Sequence, residues 1–108
     1  MSEDNLNVVH DNSELQRFEL ESDGVTAYST YTRDAGVVTV VHTRVPPEAS
    51  GKGLGTALVE GILELIRAKG EKIIPVCPFV AVYMRRHPET QALLADPDYF
   101  VAHDPKPH

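Results

Sequence analysis

The sequence is poor in cysteine, in long apolar runs and in basic residues, and each shortage excludes a class of protein. One cysteine excludes an intrachain disulfide. A membrane helix needs a run of about 18 apolar residues, and the sequence has none, so we expect no membrane partner. The first residues are acidic, where a secretory signal would be basic and then apolar. These shortages favour a reducing, cytoplasmic location.

The shortage of basic residues bears on the partner. Lysine and arginine together number 10, against 16 aspartates and glutamates, for a net charge of −6. The phosphates of a nucleic acid would be repelled by such a protein, so we expect no nucleic-acid partner, whereas an amine substrate would suit it. The 5 histidines show no metal-ligand spacing, so we expect no metal site.

Length and composition predict one globular domain. A chain of 108 residues, 42% of them hydrophobic, has enough apolar side chains for one core but not for two. We expect a flexible acidic tail at residues 1–6, a domain at residues 7–95, and a loop and C-terminal tail at residues 96–108. So small a domain is compatible with a monomer or a homodimer.

The first half of the chain predicts an antiparallel meander of four strands. Four strand-like segments are separated by turn residues, and residues alternate between two faces in the second and third of them. The segments are residues 8–10, 15–21, 25–32 and 37–45. The last segment has apolar residues at successive positions, which is typical of a central strand covered on both faces.

The second half predicts a helix, a strand and a helix. Apolar residues recur at helical spacing over residues 54–69, and Gly70 is the expected C-cap. Residues 72–77 are expected to form a strand parallel to the fourth one, and Pro75 in it indicates either an edge of the sheet or a break in pairing. A helix follows over residues 79–86, then a helical turn over residues 89–95. The fold class is therefore α/β, a mixed α+β sheet with helices on its faces.

A glycine-rich loop lies between the fourth strand and the first helix. Its sequence is Ser50-Gly51-Lys52-Gly53-Leu54-Gly55, and alternate residues lack a side chain where a helix begins. Backbone N–H groups at such a place can approach an anion closely, and Lys52 adds a positive charge. The Walker motif is excluded because Gly53 stands where its hydroxyl should be, and the dinucleotide motif has a different glycine spacing. A phosphorylated ligand is the interpretation that remains.

This loop resembles the pyrophosphate-binding motif Gln/Arg-x-x-Gly-x-Gly/Ala of the GNAT superfamily of N-acetyltransferases. The whole chain resembles the small, single-domain GNAT-like acetyltransferases through five motifs in order, over residues 7–95. They are Arg17-Phe18-Glu19, His42-Thr43 before Val45-Pro46, the glycine loop, Pro75-Val76-Cys77-Pro78-Phe79 and residues 83–89. The resemblance implies a GNAT-like acyl-CoA N-acyltransferase fold, with acetyl-CoA as acyl donor and an amine as acceptor.

The resemblance also implies which residues bind the cofactor. Backbone N–H groups near the end of the fourth strand would meet the acyl carbonyl, and the glycine loop would hold the diphosphate. The implied set is Thr43, Arg44, Val45, Ser50, Gly51, Lys52, Gly53, Leu54, Gly55 and Thr56. Pro46 and Pro47 independently predict a break in pairing there, since proline donates no N–H, or else they form only a rigid loop. Two positions depart from the family: Ser50 replaces Gln or Arg, and Arg44 replaces a frequent acidic residue, for which Glu48 is a substitute.

Three residues are candidates for catalysis. Cys77 precedes Pro78 and so is predicted at a helix N-cap, where a thiolate is stabilised; it is a nucleophile, a cofactor-lining residue or an inert packed thiol. Tyr83, by resemblance, protonates the leaving thiolate, or else is a core tyrosine. His42 is expected on the face of Val38 and Val40, either relaying the proton of the amine or serving structure.

The sequence thus supports three functional hypotheses. The first is an acetyl-CoA-dependent N-acetyltransferase that acts on a small molecule or a protein, directly or through an acetyl-cysteine. The second is a non-catalytic CoA-binding or protein-interaction module with the same fold. The third is a small regulatory domain that binds another nucleotide. The basic cluster of residues 85–87 would contact cofactor phosphates or cap its helix.

Overall fold

A computed structural model describes residues 8–22, 24–47 and 53–102 of the chain. These residues form a mixed α/β fold with one five-stranded sheet. The strands are β1 (His10–Asn12), β2 (Arg17–Ser22), β3 (Val25–Asp34), β4 (Val37–Arg44) and β5 (Lys72–Pro75). The helices are α1 (Leu54–Ala68), α2 (Pro78–Arg86), a 3-10 helix (Pro88–Leu93) and α3 (Tyr99–Ala102).

The sheet has the predicted topology. Strands β1 to β4 form an antiparallel meander in sequence order, and β5 pairs parallel to β4 at the edge. The β3–β4 turn has two residues at positive φ, Ala35 (53°) and Gly36 (79°), as a tight hairpin of this twist requires. The crossover through α1 confirms the predicted parallel strand, and Pro75 is on the edge strand as expected.

The start of the meander differs from the prediction by two residues. We expected a strand over residues 8–10 and a turn at residues 11–13, but β1 is His10–Asn12 and Leu15 lies in the turn. Asn12 still acts as a turn residue, because its side-chain carbonyl accepts a hydrogen bond from the Leu15 N–H at 3.2 Å. Asp11 is kept in the strand by contacts with distant residues, which local turn propensity does not register.

The core lies between one face of the sheet and helices α1 and α2. Alternate strand residues and the apolar stripe of α1 form one buried cluster. Its largest fully buried side chains are Phe18, Leu20, Val38, Val40, Leu58, Val59, Ile62, Ile66, Ile73, Val80 and Met84. The prediction that β4 is covered on both faces was wrong: Val38 and Val40 are fully buried, but Val41 is 46% exposed. One layer of helices covers one face of the sheet.

Helix α1 approaches the start of the chain closely at Gly61. A Cβ atom placed at Gly61 would lie 2.1 Å from Val9 Cγ2 and 2.7 Å from Val9 Cβ. Val9 is buried. The absence of a side chain at Gly61 therefore lets α1 pack directly over Val9, which explains a helix-weakening residue in mid-helix.

The segment after α2 covers the free edge of β5. Residues 88–93 form a 3-10 helix where we expected a helical turn, and Leu94 pairs with Ile73 as an isolated parallel bridge. Residues 96–102, the described part of the predicted C-terminal loop, contain one helical turn, α3, and the Tyr99 hydroxyl donates to the carbonyl of Pro75 at 3.3 Å. None of the helices in residues 8–22, 24–47 and 53–102 is long and apolar enough to cross a membrane.

A polar cluster ties β1, β3 and the α1–β5 turn together; we call it the Arg33 cluster. The Arg33 guanidinium donates to Asp11 at 3.0 Å and to Glu71 at 2.8 Å, and the Tyr31 hydroxyl donates to Asp11. Lys69 lies 3.5 Å from Asp11. Burial alone would raise the pKa of Asp11, but hydrogen bonds from Tyr31 and Arg33 outweigh it and lower the pKa below its ordinary value.

Candidate functional site

Strands β4 and β5 separate at their carboxyl ends. Their pairing ends with Val40 opposite Pro75, and the Cys77 N–H donates to the Val40 carbonyl at 2.9 Å just beyond. Strand β4 continues through residues 41–44, paired only with β3 among the described strands. The sheet therefore opens at this edge, and helices α1 and α2 both begin there because each follows one of the two parallel strands.

A β-bulge in β4 decides which side chains face this opening. Thr30 pairs with His42 but Tyr31 pairs with Val40, so Val41 is an extra residue. The prediction that His42 shares a face with Val38 and Val40 was wrong, because the extra residue reverses the alternation. His42 is exposed on the opposite face, and Thr43 lies on the core side instead.

Thr43 connects two buried polar groups. The Cys77 thiol donates to Thr43 Oγ1 at 3.3 Å, and Thr43 Oγ1 lies 2.7 Å from Ser29 Oγ. Cys77 is 3% exposed and Ser29 is fully buried. The three side chains form a continuous polar line from β3 through β4 to the start of α2.

Cys77 lies at the N-cap of α2, as the sequence predicted. Its φ and ψ are −65° and 124°, an extended conformation, and Pro78 begins the helix. The Ala81 N–H donates to the Cys77 carbonyl at 3.0 Å, which closes the first helical turn. A local Cys-Pro pair was sufficient for this prediction.

The N-terminus of α1 carries the described part of the glycine loop. Gly53 is the N-cap at a φ of 75°, no side chain caps the helix, and its first turn has no acidic residue. These features leave the positive end of the helix dipole available for an anion. The predicted residues Glu48, Ser50, Gly51 and Lys52 lie outside the described residues.

Two of the predicted loop residues contribute to packing. Leu54 is buried, and Gly55 is buried against α2, where an added Cβ would lie 2.7 Å from Phe79 Cζ and 3.3 Å from Val45 Cγ2. The lack of a side chain at Gly55 thus serves the contact between the two helices. Thr56 and Arg44 are exposed, and Val45 is half-buried.

Apolar side chains are exposed at the opening. Phe79 is 45% exposed and Val76 is 50% exposed, although both are large hydrophobic residues. Both flank Cys77 in sequence at the carboxyl end of β5. An apolar, flexible chain ending near Cys77 would find contacts here.

Tyr83 does not contact Cys77 among the described contacts. Its hydroxyl donates to Glu60 of α1 at 3.1 Å, and its ring stacks on His87 with centroids 4.0 Å apart. Six residues of helix separate it from Cys77, about 9 Å along the axis. Burial, and then the Glu60 carboxylate, raises the pKa of Tyr83. Tyr83 lines a cleft of about 450 Å³ with Glu60, Leu63, Glu64, Arg67, Glu89 and Thr90.

The basic cluster lies at the far end of α2. Arg85 and Arg86 are in its last turn, and His87 is its C-cap, with Nδ1 2.8 Å from the Tyr83 carbonyl. Cations at this position stabilise the helix dipole. The capping interpretation of these residues fits their placement.

Two residues at the site were missed by the sequence reasoning. Ser29 occupies the buried phase of β3, between Ala27 and Tyr31, and a polar residue in that phase was the available signal. Phe79 gave no signal, because its contact with Gly55 depends on how two helices pack.

Comparison with known protein families identifies the family of this chain. The chain matches the family model described as GCN5-related N-acetyl-transferase over residues 17–93, more than half of its length. A search of curated proteins found no match. The matched range begins with β2 and ends in the 3-10 helix, so it contains the opening between β4 and β5, both helix N-termini and Tyr83. The chain belongs to the GCN5-related N-acetyltransferase family.

Proposed function

We propose that the protein is an acetyl-CoA-dependent N-acetyltransferase that moves an acetyl group to an amine of a small molecule or a protein. One observation carries the proposal: the uncapped N-terminus of α1 and the Cys77 thiol lie at the same edge, where β4 and β5 separate. An anion-binding element and a nucleophile or thioester site are the two things that acetyl transfer from a CoA thioester needs in one place.

The described residues fit this acyl donor. The first turn of α1 would hold phosphate through backbone N–H groups at Leu54, Gly55 and Thr56. The exposed Val76 and Phe79 would contact the pantetheine arm. Beyond Val40, where the pairing of β4 with β5 ends, residues 43 and 44 and the adjacent Val45 would offer N–H groups to the thioester carbonyl.

Two routes of transfer are open to Cys77. In the covalent route its sulfur takes the acetyl group and its proton ends on the departing CoA sulfur; the amine then takes the acetyl group and returns a proton to Cys77. In the direct route the amine attacks the thioester carbonyl, the carbon–sulfur bond breaks, and CoA leaves as a thiol with a proton supplied by Tyr83, while Cys77 only lines the site. In this direct route His42, exposed on the other face of β4, is proposed as the acceptor of the amine proton through water.

Substitution of Cys77 separates the two routes. For Cys77→Ser in the covalent route, we expect thiol release from acetyl-CoA with an amine panel to fall at least about tenfold, because serine is a poor nucleophile without an adjacent base. Intact mass should show an added acetyl group on the wild type and none on the variant. Unchanged thiol release would leave Cys77 as lining only.

The same assay tests the alternative function, a non-catalytic CoA-binding or protein-interaction module. The 3% exposure of Cys77 argues against the covalent route, because a nucleophile has to be reached by its substrate, and it is compatible with both the direct route and this module. Acetyl-CoA binding measured by calorimetry, together with no thiol release from any amine, would support the module and contradict the enzyme.

The role of Tyr83 as the acid for the leaving thiolate needs its own pair of variants. If the hydroxyl serves the transfer, Tyr83→Phe should lower kcat about tenfold or more, while Glu60→Gln, which keeps a hydrogen-bond acceptor, should leave kcat nearly unchanged. The measurement is steady-state thiol release with both variants. An equal, small effect of the two would mean that the pair only joins α1 to α2.

A further inference from the structure

The polar line Ser29–Thr43–Cys77 suggests more than packing. Ser29 is fully buried in a phase of β3 otherwise filled by Ala27 and Tyr31. A buried hydroxyl needs a hydrogen-bond partner, and the partner that the structure gives Ser29 is Thr43, at 2.7 Å. Alanine would pack there without that requirement.

The β-bulge at Val41 also places a polar side chain against Cys77. Without the extra residue, alternation would turn His42 toward Cys77 and Thr43 away from it. Bulges commonly redirect a side chain next to a functional site. Here the bulge brings a hydroxyl within 3.3 Å of the Cys77 sulfur.

We propose that Thr43 and Ser29 are positioning residues for the Cys77 sulfur, an inference that rests on the proposed acetyl transfer. Thr43 holds the thiol in one orientation at the N-cap of α2, and Ser29 orients the Thr43 hydroxyl. This pair of hydroxyls can maintain a hydrogen bond with the Cys77 sulfur whether or not the sulfur carries its proton. While the thiol carries its proton, Thr43 Oγ1 accepts it and donates its own hydrogen to Ser29.

When the sulfur gives up its proton, both hydrogen bonds reverse without movement of the heavy atoms. The Thr43 hydroxyl then donates to the sulfur, and the Ser29 hydroxyl donates to Thr43 Oγ1. Either oxygen of this pair can be the donor, so the reversal needs only rotation of two hydroxyl hydrogens. A hydrogen bond to a charged sulfur is stronger than one to a neutral thiol, which favours transfer through Cys77.

Infrared spectroscopy tests the contact directly, because the chain has 1 cysteine and therefore one S–H stretching band. We expect Thr43→Val, which keeps the shape but removes the hydroxyl, to move this band to the higher frequency of a free thiol. Thr43→Ser should restore the wild-type position, and Ser29→Ala should broaden the band. The same band in the wild type and in Thr43→Val would overturn the contact.

Kinetics tests the role. We expect Thr43→Val to lower kcat for thiol release about tenfold, the loss of one hydrogen bond to a charged group, with little change in the KM for acetyl-CoA. Thr43→Ser should recover most of kcat, which a loss caused by packing would not allow. An unchanged kcat in both Thr43→Val and Ser29→Ala would refute the positioning role. Absence of turnover in the wild type would instead refute the proposed function, and the infrared band would still report the contact.

Discussion

Replacing Gly61 with alanine is expected to lower the free energy of unfolding by about 2 kcal/mol, although alanine is the better helix former. The helix propensity of alanine contributes about 1 kcal/mol in its favour. The added Cβ, however, would lie 2.1 Å from Val9 Cγ2, far inside van der Waals contact, and Val9 is buried beneath α1. Overpacking of this kind costs about 1–3 kcal/mol and occasionally more. Urea unfolding followed by circular dichroism measures the change.

A double-mutant cycle with Val9 assigns the cause. Val9→Ala alone should destabilise the protein by about 1 kcal/mol through lost burial. On the Gly61→Ala background the same change should instead restore part of the stability, because it removes Val9 Cγ2, 2.1 Å from the added Cβ, although Val9 Cβ stays at 2.7 Å. Simple addition of the two effects would contradict this explanation.

Gly55→Ala is the matched control for Gly61→Ala. It also adds a Cβ to α1 against a neighbouring side chain, 2.7 Å from Phe79 Cζ. Phe79 is 45% exposed and its ring can move outward, so we expect a loss of no more than about 0.5 kcal/mol. The contrast between the two glycines separates contact with a buried side chain from contact with a movable one.

Arg33→Met is expected to lower the free energy of unfolding by about 3 kcal/mol. The substitution leaves the Asp11 and Glu71 carboxylates, with side chains 14% and 13% exposed, without the cation that joins them. Lys69 remains, but at 3.5 Å it reaches only Asp11. Because the Arg33 cluster joins β1 to the α1–β5 turn, we also expect faster amide exchange in β1.

Arg67→Met is the control for Arg33→Met, since it removes an arginine whose ion pair with Glu64 is exposed. Its cost should be within about 0.5 kcal/mol.

The pH dependence of stability gives a second check on the Arg33 cluster. The pKa of Asp11 is lower in the folded protein than its ordinary value, so its stabilisation is present above about pH 4 and is lost as the pH falls through the folded pKa. The difference between wild type and Arg33→Met should therefore shrink in acid.

Most of the fold could be predicted because its signals are local. Alternation along the strands, the glycines at the turns and the helical spacing in α1 each depend on neighbours within a few residues. The predictions of the fold that were wrong concern features that depend on contacts between residues far apart in the sequence. Asp11 is in β1 rather than in a turn because it contacts Tyr31 and Arg33, and the coverage of β4 depends on where the helices pack.

In the candidate site, as in the fold, features that depend on neighbouring residues could be predicted and features that depend on distant residues could not. Cys77 at the N-cap follows from the next residue, Pro78. The position of His42 required knowledge of the bulge, which shows only in the pairing of β3 with β4. The Tyr83 hydroxyl meets Glu60, a partner 23 residues away, so no local pattern indicates it.

The extra residue at Val41 divides β4 into two parts that obey different constraints. Substitutions before it are limited by packing in the hydrophobic core, where Val38 and Val40 lie, and substitutions after it are limited by the hydrogen bonds of Thr43 at the opening. The positions that tolerate substitution therefore differ between the two parts. A single strand can therefore change at the end that borders the opening while its buried end stays the same.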